Sequence, residues 1–428
     1  MLTPEQIAKM REKAASTPEA LRRNAVTDYT EGWFFVTLNT RDDVPLLSTV
    51  EGRGDAPDGS SDAPRCVYTE IGRGVIESWR RNAEVYDFVE VHECEAMPEH
   101  FHGLIRLLPG NKRHLGRIIW GFMAGCSHAY WDALGIPWRE MTYTKGVQTP
   151  EYNDRDHTHS KRGPALFVHG YNDVEAITEA EVQVKRQYIR DQSRKRLLQK
   201  GANAPLFRVH RDMQSRNWTP VRAVQGLCHD TWIARDRQKQ HVAWQALTVA
   251  GALTERGKAC HKLKAGCTID LVGNMELLHR TLVPLVCHRA DAARNEEQKT
   301  RTLEAARRGA VVVTACVSPK EREVVKLLLQ ELLPVVEVMA NGFSERYKPV
   351  GKAFYAVAEG RRLEVSPWQY EYRQRDMRPV LDAQGHPLLD ADSQPQMEEV
   401  PDIAREECMV MNEVVRVITA KADDWWKE

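Results

Sequence analysis

In the first half of the chain, apolar positions alternate with polar ones in short runs that read as strands. GWFFVTLNT (32–40), FVEVHECEAM (88–97) and HFHGLIRLL (100–108) are such runs, and Pro98 breaks the last two apart. Ile71, Val75 and Trp79 recur every four residues and predict a helix over 68–86. Leu115, Ile118, Ile119, Phe122 and Met123 predict another, reaching about residue 134. A short strand ALFVH (165–169) and a helix from about 178 to 200 complete the pattern. Together these imply an α+β domain, an antiparallel sheet with helices packed on it. The polar stretches 51–64 and 146–163 read as loops, the first of them mobile, and 1–30 reads as a polar helical arm.

The rhythm changes near Cys267. LVPLVC (282–287), AVVVTACV (310–317), PVVEVMA (334–340), RLEVS (362–366) and VVRVITA (414–420) are short Val-rich runs. Such runs suit strands buried on both faces, as in a parallel sheet. Helix-like segments, 291–308 and 319–333, lie between them, so this half reads as a doubly wound, Rossmann-like α/β domain. The expected division is an arm at 1–30, a domain at 31–225, a linker or insertion at 226–268 and a second domain at 269–428.

Composition narrows the class. With 428 residues, 42% of them hydrophobic, the chain is neither collagen-like nor wholly disordered. No run of about 18 apolar residues suggests a membrane span, and the charged start lacks the apolar core of a signal peptide. Nine scattered cysteines argue for reduced thiols in a cytoplasmic setting. The 60 basic and 60 acidic side chains cancel, yet Lys185–Arg222 holds 11 Lys/Arg against two acids. A basic block of that kind is either a footprint for nucleic acid or a solvated helix face.

Four side chains in or beside this block carry candidate chemistry. His100 and His102 flank Phe101 on a strand, so period two puts both imidazoles on one face and Phe101 in the core behind them. Two neutral imidazoles on a rigid surface are two legs of a divalent-metal site, or else structural. His157 and His159 repeat the spacing in a polar loop without an apolar anchor and are assigned to the surface. In VQVKRQYIRDQSRKRLL (182–198), Tyr188 and Gln192 are four apart and share a helical face. Gln192 offers a neutral oxygen to a hard cation, and Tyr188 is a nucleophile or a packing residue. Lys185, Arg186, Arg190, Arg194, Lys195 and Arg196 are the candidate phosphate contacts. Three to four such contacts would contribute roughly −2 to −3 to the log–log salt slope on single strands.

The segments GWFFVTLNT, IGRGVIESWRR, VEVHECEAMPEHFHGLIRL, LGRIIWGFMAG, YNDVE and QYIRDQ occur in this order. Over about residues 30–215 this resembles the REP-associated and insertion-sequence tyrosine transposases, the single-tyrosine HUH endonucleases. The resemblance implies that His100, His102 and Gln192 bind Mg²⁺ or Mn²⁺. It further implies that Tyr188 attacks single-stranded or hairpin DNA and forms a 5′-phosphotyrosine link. A homodimer, with the tyrosine helix acting in cis or in trans, is left open. The insert at 51–64, the loop at 146–163 and the extra C-terminal half depart from minimal members.

In the second half, GNMELLHRTLVPLVCHRAD, VVVTACVSPKEREVVKLLL, PVVEVMANGF and LEVSP are similar to the Rossmann-like domain of the DNA-processing protein A family. Cys287-His288-Arg289 and Thr314-Ala315-Cys316 stand where that family has Gly- and Ser-rich turns. Ser318 opens a helix after a buried strand, either as an N-cap or as part of an anion seat, with Arg289 as its companion. Trp218, beside Arg216 and Arg222, either stacks on a base or packs. The function expected from these features is a metal-dependent, nucleoid-associated single-strand DNA endonuclease and strand transferase. The other class is a non-cleaving DNA-binding or nucleotide-sensing regulator.

Overall fold

The computed structural model describes residues 27–139, 159–160, 163–168, 170–215, 217–287, 292–372, 377–380, 387–388, 397–399 and 403–427. The chain divides into two compact units: Met1–Leu198 with Met377–Glu398, and Gln199–Asp376 with Glu399–Glu428. The sequence-drawn boundary at 225 lies further along the chain than this division. Most of the 1–30 arm and of the 146–163 loop lies outside the described residues.

The first unit carries β1 (Gly32–Asn39), β2 (Ser48–Glu51), β3 (Arg65–Tyr68), α1 (Glu70–Val85), β4 (Val89–Met97), β5 (His100–Leu107) and α2 (Leu115–Ala133). Then come β6 (His159–Ser160), β7 (Gly163–Pro164), β8 (Asn172–Ala176), α3 (Glu179–Arg190) and α4 (Gln192–Leu198). Its main sheet has the order β4–β5–β1–β8, antiparallel throughout. Alternation on β1 and β5 divides the side chains between two layers. Phe34, Val36, Leu38, Phe101, Ile105 and Leu107 are buried with Val75 and Trp79 of α1 and with Ile118 and Phe122 of α2. Phe35 and Leu104 face the other way, against Val182 and Ile189 of α3. Gly103 is required by the first layer, since a Cβ there would lie 2.5 Å from the Trp79 ring.

Two expectations change here. In the described part of the run 165–169, residues 165–168, Phe167 makes an isolated bridge to Thr40, and the edge strand is β8. The single helix of 178–200 is two, interrupted at Asp191, although Asp191 N–H still donates to the Gln187 carbonyl at 3.0 Å.

The second unit carries β9 (His210–Met213), α5 (Pro220–Leu227), α6 (Thr231–Ala234), α7 (Arg237–Thr248), β10 (Ile269–Gly273), β11 (Leu282–Leu285) and α8 (Ala292–Arg307). Next are β12 (Val311–Thr314), α9 (Pro319–Gln330), β13 (Val335–Val338), α10 (Gly351–Ala358), β14 (Arg362–Ser366) and α11 (Arg405–Thr419). The sheet order is β11–β12–β13–β14–β10–β9; β11 to β14 are parallel and the last two strands antiparallel. Val283, Leu285, Val312 and Val335 pack on α8 and α9, whereas Val311, Val313, Val336 and Leu363 join the core made with α11 and α5. A mostly parallel sheet with helices on both faces is the α/β class expected.

The run 414–420 is not a strand but the end of α11. Val410, Val414 and Val417, buried on that helix, recur at three and four residues, which is a helical period. Nor do 226–268 form a detached linker: Leu227, Ile233, Ala246, Leu247, Cys260 and Leu263 are part of the unit's core. None of the nine cysteines is joined in a disulfide.

Candidate active site

On β5, Phe101 lies 5.1 Å from both the Trp79 and Phe122 rings, while His100 and His102 sit on the opposite face with their ring centres 4.7 Å apart. This is the arrangement the period-two reading requires. His102 stacks on Phe35 at 5.1 Å, and its Nδ1 shares a 2.9 Å hydrogen bond with Thr37 Oγ1, its register partner on β1. Burial, then the charges of His100, Lys185 and Lys195, hold the His102 pKa well below the ordinary imidazole value. The ring is therefore neutral near pH 7, and Nε2 is the atom left for coordination.

Tyr188 reaches this face from α3. Its ring meets Phe35 at 5.5 Å and His102 at 5.4 Å, edge-on in both cases. Gln192 opens α4, is buried, and donates from Nε2 to the Tyr188 carbonyl at 3.0 Å, which turns its amide oxygen the other way. Lys195 stands with Nζ 4.7 Å from the centre of the Tyr188 ring. Burial lowers the Lys195 pKa, with Asp191 opposing. The chain thus brings His100, His102, Tyr188 and Lys195 together on one side of the sheet, and Gln192 joins them through its bond to the Tyr188 carbonyl.

Two imidazoles and an amide oxygen make a donor set that a divalent cation such as Mg²⁺ or Mn²⁺ accepts. The Thr37 contact is the kind of outer bond that fixes a ligating ring. Phe35 and Thr37 were missed by sequence reasoning, although the alternation within GWFFVTLNT places Trp33, Phe35 and Thr37 on a shared face.

The basic run has a different setting from the one expected. β4 is bulged between Val91 and Cys94, where two residues, His92 and Glu93, lie opposite the single Leu104 of β5, a one-residue excess. Glu93 accepts from Arg190 Nη2 at 2.5 Å and lies 3.6 Å from Arg186 Nε. Glu99, in the turn before β5, takes both arms of the Arg196 guanidinium. Arg194 donates to the Gly54 and Ala56 carbonyls and to Asp58, each at 2.6 Å. Lys185 lies over the Phe35 ring at 5.2 Å. These cations are engaged with the chain's own groups, and the 51–64 loop is tied to α4 through Arg194.

In the second unit, Ser318 accepts from Glu321 N–H, and the Glu321 carboxylate takes the N–H groups of Cys287, Val317 and Ser318. The start of α9 is therefore occupied by its own carboxylate, as in a capping box. Arg289, His157 and Arg216 lie outside the described residues. Trp218 is 2% exposed and packs in the core. His261 is held by Glu407 through Nδ1 and its own N–H. Among the described residues no helix is long and apolar enough to cross a membrane. Compared with known proteins, the chain matches no family model and no curated protein.

Proposed function

We propose that the first unit is a metal-dependent single-strand DNA endonuclease and strand transferase with Tyr188 as nucleophile. The observation that carries this reading is the approach of Tyr188 to His102, itself paired with His100 on one sheet face. His100, His102 and Gln192 would hold Mg²⁺ or Mn²⁺, which when bound polarises a phosphodiester. The Tyr188 hydroxyl attacks phosphorus, the bond to the 3′-oxygen breaks, and the 3′-hydroxyl leaves with a proton. A 5′-phosphotyrosine link keeps the bond energy, so rejoining needs no ATP. Lys195, beside the ring, adds positive charge where the phosphate would lie. A setting with nucleoid DNA follows from this reading.

The test is a nicking assay on single-stranded hairpin oligonucleotides with Mn²⁺, trapping the adduct on denaturing gels. Wild type is expected to form a covalent adduct, and Tyr188→Phe none, with DNA affinity nearly unchanged because only a hydroxyl is lost. An adduct on the Phe variant at wild-type yield rules Tyr188 out. A wild type that binds DNA but never forms an adduct favours the non-cleaving regulator.

A further inference from the structure

Helices α5 and α11 cross so closely that a Cβ on Gly226 would stand 2.8 Å from the Glu413 Cβ. Beside this crossing lies a cavity of about 890 Å³ lined by Arg222, His229, Glu413, Arg416 and Lys421. Glu413, its side chain 2% exposed, pairs with Arg222 Nη2 at 2.5 Å, lies 3.0 Å from His229 Nε2 and accepts from Arg416 Nη1 at 3.2 Å. A buried carboxylate needs a partner, but one cation balances its charge. Arg416 is further fixed by Asp423, at 2.9 and 2.8 Å. Arg222, Arg416 and Lys421 carry three positive charges against two negative ones on Glu413 and Asp423. The surplus is one positive charge, or two when His229 is protonated.

The local backbone supports the same sign at the rim. Asn217 and Thr219 line the cavity at the start of α5, the positive end of that helix. The terminal carbonyls of α11 oppose an anion there. That helix ends on Ala420 in the left-handed conformation, and Lys421 follows directly in the cavity wall. Val417 and Ala420 give the wall an apolar portion.

We propose that this cavity binds a phosphomonoester of nucleotide size. Such a group carries about −1.5 to −2 at pH 7 and three acceptor oxygens, which the surplus cation and the solvent-facing donors of Arg222, His229 and Lys421 meet. A monocarboxylate would match the single surplus charge but offers these donors only two oxygens. The volume lies within the range of small-ligand sites, roughly 300–1,000 Å³. Half-exposed Arg222 and His229 keep donors turned to solvent while Glu413 holds them in place. The site belongs to the second unit and is independent of Tyr188.

Isothermal titration calorimetry on the full chain decides it, with AMP, adenosine and inorganic phosphate as probes. AMP is expected to saturate, inorganic phosphate to saturate more weakly, and adenosine not to bind. Lys421→Ala should weaken AMP by about tenfold at unchanged melting temperature, since its side chain reaches solvent. Arg222→Ala should weaken AMP similarly and also lower the melting temperature, since it removes a partner of buried Glu413. Tyr188→Phe should bind AMP as wild type does. Absence of saturation by AMP and phosphate up to about 10 mM overturns the proposal, for that concentration already corresponds to under 4 kcal/mol. So does equal affinity for AMP and adenosine, or wild-type affinity in the Arg222→Ala/Lys421→Ala double variant.

Discussion

Arg194 separates two physical roles that look alike in sequence. As a phosphate contact, its loss flattens the single-strand salt slope by about 0.7 and leaves stability alone. As a strut, its loss does the reverse. The Asp58 partner is 97% exposed, so that pair contributes little. The two carbonyl bonds, to Gly54 and Ala56, come from a charged donor on a largely buried side chain. With water replacing part of each bond in the variant, about 2–3 kcal/mol is expected to be lost from the first unit. In a unit of this size that lowers the melting temperature by roughly 4–12 °C. Arg194→Lys keeps the charge but cannot fork between two carbonyls and a carboxylate, so it should destabilise nearly as much as Arg194→Ala. The assay pairs urea unfolding with fluorescence anisotropy of a labelled oligonucleotide between about 50 and 200 mM salt. A variant with wild-type stability and a slope flattened by a full contact would refute the strut.

Further outcomes follow from single contacts. Changing His100 or His102 to Ala should lower metal-dependent nicking by orders of magnitude while His157→Ala does not; equal loss at all three positions contradicts the distinction. Burial, reinforced by the nearby Asp28, Asp173 and Glu181 carboxylates, raises the Glu175 pKa despite a bond from Thr27. The stability Glu175 contributes is therefore present below its unfolded value and is lost as pH rises through the folded one. Glu175→Gln should melt higher than wild type at pH 7, with the gap closing towards pH 4; a constant gap would show that ionisation is not the cause. Leu332 ends α9 at φ 57° with a 63% exposed side chain, so Leu332→Gly should stabilise by about 1 kcal/mol in chemical denaturation.

Periodicity carried most of the architecture, because β1, β5 and the four parallel strands each bury a regular set of side chains. It failed where a run was too short to show its period. VVRVITA has a valine every few positions under either spacing, and only the upstream Val410 reveals the helix. Strand β10 escaped notice because Asp270 sits within it, buried against Arg211 and Lys264. The shared face of His100 and His102 was legible from local spacing, whereas spacing alone left Tyr188 as either a nucleophile or a packing residue. The fate of the cations was not: Glu93, Glu99 and Asp58 lie about a hundred residues from the arginines they hold. A bulge, which turns Glu93 towards α3, leaves no mark in hydrophobic pattern.

The scattered thiols give each unit its own reporter. Alkylation proceeds through the thiolate, and burial pushes Cys66 and Cys287 up to about 12 and Cys94 up to about 11. Cys126 and Cys316 are raised by burial as well. At pH 8 such groups are almost wholly protonated in the native state, so a reagent such as iodoacetamide reacts when the surrounding structure opens. Its rate at each cysteine then reads the opening free energy of that locality. Cys66, Cys94 and Cys126 report on the first unit, Cys287 and Cys316 on the second, so peptide mass spectrometry can follow the two units melting in one tube without an added label.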